Sequence, residues 1–161
     1  ELRQVLNDPG GVRYNDKLIE NALNWGIKTI YLEAPINHKV YFLKRMDITV
    51  SDFSNEYTLP SNFHIPYVAY IFEGSLSKWC EIILGRPREI DFPAVFIYDN
   101  KFRVRNNSYP VVFSMDYIAY PEDYQYGNTS NDVNLIFANL YKQKIFDLAT
   151  EFIYKTEAKS V

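Results

Sequence analysis

Few residues in this chain have the type and spacing to do chemistry. His38 and His64 are its two histidines, and Cys80 is its one cysteine. An imidazole can act as a base or a metal ligand near neutral pH. Neither histidine has a second ligand at metal-site spacing, so both read as structural or surface residues. Cys80 follows Trp79 inside a strand pattern, with no basic neighbour or helix start to lower its pKa. It reads as a buried, inert thiol. Glu122 and Asp123 are adjacent in a loop, and neighbours in sequence do not by themselves make an acid/base pair; a solvated turn suits them better. No serine stands in a nucleophile elbow, no Gly-rich strand-to-helix turn could cradle a phosphate, and Pro9-Gly10-Gly11 has the chemistry of a hinge. These observations argue against an enzyme and imply no metal and no cofactor.

The basic trio Lys101, Arg103 and Arg105 is different. Strand alternation puts all three on one face, with Phe102 and Val104 turned to the core. Such a row could contact phosphate or an acidic partner. It could instead be a solvated strand face that discourages edge pairing, and that reading is preferred because no stacking aromatic is interleaved on the same face.

These residues need elements to position them. Residues 1–14, "ELRQVLNDPGGVRY", read as a helical end fragment, an arm and a hinge. Next, Leu18, Ile19, Ala22, Leu23, Gly26, Ile27 and Ile30 recur at helical spacing; Asn15 can cap that helix, Asp16 suits its first turn, and Pro35 closes it. The period then switches. Val40, Phe42, Met46, Ile48 and Val50 alternate with Lys39, Arg45, Asp47 and Thr49 as a half-buried antiparallel strand. A short strand ends at Leu59-Pro60, and residues 63–72 and 79–84 supply two strands that are apolar on both sides, with Pro66 marking a break or an edge. Asp99-Asn100 between Ala94–Tyr98 and Lys101–Arg105 predicts a two-residue hairpin. With "VVFSMDYIAYP" it suggests a three-strand meander over 93–121, followed by a polar loop over 121–131.

A long helix near 131–156 closes the chain, with Phe137, Ala138, Tyr141, Ile145, Leu148, Ala149, Phe152 and Ile153 in one stripe. Ile136 and Leu140 lie outside that stripe and widen the apolar surface, which suggests a second layer or a partner. The expected fold is α+β: an antiparallel sheet or meander flanked by an N-terminal and a long C-terminal helix. The expected organisation is an arm at 1–14, a single domain at 15–156 and a tail at 157–161.

Composition narrows the function further. A net charge of −3 is spread over both halves of the chain, which argues against a polycationic phosphate binder. Aromatic residues are 17% of the chain, 14 of them Tyr, which suits half-buried sheet faces and interfaces. No apolar run approaches a bilayer span, and a lone cysteine excludes an internal disulfide and fits a reducing compartment. The chain starts at Glu1 and not at Met, as a trimmed or processed protein would.

The order of elements carries a resemblance. The helix "DKLIENALNWGIKTIY" precedes a strand segment ending in Tyr57-x-Leu59-Pro60. The hairpin "FIYDNKFRVR" follows, then a tyrosine-rich strand with Tyr117, Tyr120 and Pro121, and then the helix "LIFANLYKQKIFDLATEF". From about residue 15 to 156 this order is similar to the head-to-tail adaptors of short-tailed double-stranded DNA bacteriophages, the neck ring or tubular tail proteins, the crAss-like phages among them. The resemblance implies a structural virion protein, assembled in the host cytoplasm. It implies a homo-oligomeric ring, commonly twelve-fold, between the portal protein and the tail or next neck ring, with genomic DNA passing through without sequence-specific binding. The expected contact residues are Ile136, Leu140, Phe152, Tyr154 and Lys155 on the last helix, and Tyr124 and Tyr126 in the loop. The alternative is a β-rich carbohydrate- or peptide-binding module that uses exposed Tyr and Trp79.

Overall fold

The computed structural model describes residues 1–127 and 135–159. The chain divides into two units, Glu1–Phe42 with Tyr120–Val161, and Leu43–Ala119. The span 15–156 expected as one domain draws on both. The class is α+β, with helices in the first unit and a seven-stranded sheet in the second.

In the helical unit, α1 (Leu2–Val5) is followed by α2 (Asp16–Glu33), α3 (Ile36–Lys39), a 3-10 turn at Val40–Phe42 and α4 (Leu135–Ala158). Helix α2 starts and stops where its sequence says. The Asn15 side chain accepts from the Leu18 N–H at 2.8 Å, and Ala34, ahead of Pro35, is already extended. Helix α4 packs along α2. Ala22 of α2 with Ala149 and Ile153 of α4 form one buried cluster. The arm region 1–14 adds Leu2, Leu6 and Tyr14 to that cluster. Its loop is tied by Asp8, whose carboxylate accepts the N–H groups of Val12, Arg13 and Tyr14 at 2.9, 3.1 and 2.9 Å. These bonds, led by the one from Arg13, hold the Asp8 pKa below its ordinary value. Beside them, Arg3 bridges Asp8 and Asp16. A second aromatic cluster sets Phe42 edge-on to both Tyr31 and Phe137, at 5.1 and 4.9 Å.

The sheet unit comprises β1 (Leu43–Val50), β2 (Tyr57–Thr58), β3 (Phe63–Glu73), β4 (Leu76–Leu84), β5 (Ala94–Tyr98), β6 (Lys101–Arg105) and β7 (Val111–Ala119), in the order β1-β7-β3-β4-β5-β6-β2. Val50 of β1 and Phe102 and Val104 of β6 belong to one buried cluster although they lie far apart in that order, so the sheet curls around its core. The Tyr57 hydroxyl on β2 also donates to the Thr49 carbonyl on β1, at 3.3 Å.

Three expectations are corrected. The first strand starts at Leu43, because Val40–Phe42 winds into the 3-10 turn; Met46, Ile48 and Val50 do face the core. The hairpin is present, with Asp99 and Asn100 at φ 45 and 61°. The three-strand meander is not: β7 leaves β6 and inserts between β1 and β3. The physical reason is burial on both faces. In "VVFSMDYIA" only Val112 is exposed and Asp116 half-buried, and a strand of that kind belongs in the middle of a sheet. Finally, β4 and β5 pair parallel, so the sheet is mixed rather than purely antiparallel; the segment 85–93 makes the crossover. Pro66 coincides with a register shift between β3 and β7, where the ladder can do without its N–H.

Candidate interaction surfaces

Exposed side chains on regular elements are the natural candidates, and each unit has its own set. On α4, Ile136 and Leu140 stand one turn apart and are each 54% exposed, while Phe137 beside them is buried. Tyr154 is exposed near the other end of the helix. Phe152 instead lies half-buried against Trp25, with ring centroids 5.7 Å apart, beside a hollow of about 390 Å³ also lined by Lys155 and Lys159. Lys155 is paired with Glu151 one turn back. In the loop, Tyr124 is pinned by Asn24, whose side chain accepts from its N–H at 2.7 Å and donates to its carbonyl at 3.0 Å. The Tyr126 N–H donates to Glu20 at 2.8 Å and leaves its ring exposed. Asp123 forms an ion pair with Lys28 at 2.5 Å. The expected contact loop over 121–131 and the start of the helix near 131 include residues 128–134, outside the described residues, as do 160 and 161 of the tail.

The contact residues expected in this unit therefore divide into two groups. Ile136, Leu140, Tyr126 and Tyr154 have exposed side chains, whereas Phe152 and Tyr124 are half-buried and Lys155 is ion-paired.

The basic row on β6 has the predicted facing, with Phe102 and Val104 buried. Its three charges meet different surroundings. Lys101 Nζ lies 2.6 Å from one oxygen of Glu56, and the other oxygen accepts from the Tyr98 hydroxyl at 2.6 Å. Those two bonds, the lysine's first, hold the Glu56 carboxyl below its ordinary pKa. The same lysine bond raises Lys101. Arg103 brings Nη2 to 3.8 Å from Glu56, and its buried Nε has no hydrogen-bond partner. Arg105 turns away: its guanidinium lies 5.4 Å from the Phe53 ring centre and its Nε donates to the Ile90 carbonyl at 3.4 Å.

Cross-strand register reveals a further surface. Tyr70 on β3 is opposite both Trp79 on β4 and Ser114 on β7, and Phe72 is opposite both Ser77 and Val112. Directly paired residues share a face, so Tyr70, Phe72, Trp79 and Val112 form one patch across three strands. Trp79 is 64% exposed and meets Tyr70 edge-on at 5.6 Å. Next in the chain, Cys80 points the opposite way, fully buried, and burial pushes its thiol up to about 12. The sequence singled out Trp79 for the alternative function but not its neighbours, because only register assembles them.

His38 shares a 2.5 Å hydrogen bond with the Tyr141 hydroxyl. Among the described residues, no three His, Cys, Asp or Glu side chains group to hold a metal ion, and no helix is long and apolar enough to cross a membrane. In comparison with known proteins, no family model matches the chain and no curated protein matches it.

Proposed function

We propose that this chain is a non-enzymatic structural protein of a bacteriophage virion, a ring subunit in the neck between portal and tail. One observation carries the reading beyond the resemblance in element order. Each unit keeps its own apolar set on a regular element: Ile136 and Leu140 on α4, and Tyr70, Phe72, Trp79 and Val112 on the sheet. A ring is closed by heterologous contacts, in which one patch on a subunit meets a different patch on the next, so a protomer needs two unlike surfaces. An apolar row on a helix and an aromatic strip on a sheet are two such surfaces. In this reading the portal protein and the next neck component are axial partners, and DNA passes without being read.

The test is the mass and symmetry of the protein bound to particles. A ring of fixed copy number at the portal vertex is expected, and it should be lost on Ile136→Glu with Leu140→Glu. Tailed particles that assemble normally with that double variant would sink the proposal.

A second reading is favoured by Trp79 itself. An indole 64% exposed and braced edge-on by Tyr70 is the kind of platform on which a sugar ring or a peptide side chain stacks. That reading predicts a monomer whose tryptophan fluorescence changes with a glycan or peptide and not with portal particles.

A further inference from the structure

On the sheet unit, Glu56, Arg86, Tyr98, Asp99, Lys101 and Arg103 line a hollow of about 350 Å³. Three cations face two carboxylates there, so the lining is net positive in a chain that is net negative. The position of Glu56 is informative. Each of its oxygens takes one donor, Tyr98 Oη or Lys101 Nζ, both at 2.6 Å. A carboxylate has about four lone-pair sites, so Glu56 uses roughly half of its accepting capacity. Arg103 gains little from it: at 3.8 Å its Nη2 is within ion-pair range but beyond hydrogen-bond range, and its Nε is buried without an acceptor. Arg86 is 84% exposed, and its contact with Asp99 is a loose 3.6 Å. The hollow thus holds a carboxylate that fits two of its donors, while the Arg103 guanidinium, which meets the Tyr98 hydroxyl, makes no hydrogen bond to it and keeps its Nε without an acceptor. Glu56 reaches it from the irregular segment before the two-residue β2, and turning its side chain outward leaves the ladder from Tyr57 to Phe102 intact.

We propose that this hollow is a binding site for the carboxylate of an acidic segment of a partner protein, and that Glu56 occupies it in cis as a stand-in that an incoming Asp or Glu displaces. The guanidinium fork of Arg103 then makes the paired contact that Glu56 does not reach. Arg105 takes no part, since Phe53 and the Ile90 carbonyl hold it elsewhere. The site is present in a single copy of the chain, so it stands or falls independently of ring assembly.

The experiment is an NMR titration of the ¹⁵N-labelled full chain at low salt with a capped tetraglutamate peptide, following the backbone amides of Tyr98 and Asp99, which every variant retains, and the Arg103 Nε–Hε resonance where Arg103 is present. Removing the resident carboxylate by Glu56→Gln is expected to tighten peptide binding about tenfold, the scale of one charge-assisted hydrogen bond. Adding Arg103→Gln or Lys101→Gln to that variant is expected to remove the gain, and adding Arg105→Gln to leave it. The proposal is overturned if Glu56→Gln binds no tighter than the parent, or if Arg105→Gln costs as much as Arg103→Gln. It is likewise overturned if inorganic phosphate or a duplex oligonucleotide binds the Glu56→Gln chain more tightly than tetraglutamate does. Having Lys101→Gln beside Arg103→Gln keeps the outcome readable should one of them fail to fold.

Discussion

Gly26 is the most informative single position in the helical unit. It lies in the middle of α2, where glycine costs about 1 kcal/mol relative to alanine. Intrinsic propensity therefore predicts that Gly26→Ala stabilises. Its surroundings predict the reverse. A Cβ built there falls 2.8 Å from the backbone carbonyl oxygen of Ile145 on α4 and 3.5 Å from the Ile145 Cγ2. Carbon–oxygen contacts settle near about 3.3 Å or beyond, so the helices must part by about half an ångström. That oxygen is backbone and cannot rotate away. Moreover Ala22, one turn before Gly26, and Ala149, one turn after Ile145, are fully buried, so parting the helices opens a close-packed seam. Overpacking of this kind costs about 1–3 kcal/mol, against the gain of about 1 in propensity. The net expectation is a loss of about 1 kcal/mol, equivalent to a fall in Tm of about 2–4 °C for a chain of this size. Urea unfolding with a shared m-value measures it, and Gly26→Leu should fall much further. Gly26→Ala more stable than the parent by about 1 kcal/mol would refute the close approach of α2 and α4.

Two further perturbations probe the sheet unit. Glu73 takes hydrogen bonds from Lys78 at 2.8 Å, Asn106 at 2.6 Å and Ser108 at 3.0 Å, and these, led by Lys78, bring its carboxyl down to about 2. A depressed carboxyl adds stability that is complete above the unfolded pKa, near 4.5, and is lost as pH falls through about 2. Glu73→Gln should accordingly flatten the fall in urea midpoint between pH 4.5 and 2, and an unchanged slope would show that the cluster contributes nothing. Cys80 is fully buried with its thiol raised to about 12, so a thiol reagent at pH 8 should label it only as fast as the unit opens and at once in denaturant. Rapid labelling of the native chain would contradict that placement.

What the sequence revealed follows from range. Helix α2 was legible from cap to proline because each signal acts within a turn of its target: Asn15 bonds Leu18 and Pro35 restricts Ala34. The Asp99-Asn100 hairpin was legible for the same reason. The sheet order was not, because it rests on pairings such as Met46 with Met115, between strands far apart in the chain. The period-2 pattern says which residues share a face but not which strand lies alongside. The best available sign was that Asp116 is the one charged residue in "VVFSMDYIA", a composition that suits a central strand. The same limit applied to the basic row. Alternation put Lys101, Arg103 and Arg105 on one face, but only the fold brings Glu56 to the first two and Phe53 to the third.

The size of the open patches limits how a ring of these chains could form. Scaling the exposed fractions of Phe72, Trp79 and Val112 by the surface such side chains carry gives on the order of 300 Å² for the strip. Ile136 and Leu140 add on the order of 200 Å² more. A stable interface takes about 800 Å² from each partner. A little over half of that is ordinarily apolar, about 450 Å², and a heterologous contact takes one patch from each side, so either patch alone falls short and two free copies have too little to hold each other against the loss of translational freedom. A ring proposed for this chain must therefore be templated: a portal holds the copies side by side, and contacts too weak to nucleate assembly then act at high effective concentration. The expected result is a monomer in sedimentation at micromolar concentration and a ring only with portal particles. A closed ring in the absence of any template would mean that the polar rims of these patches contribute far more than their area, and the two apolar sets would no longer account for assembly.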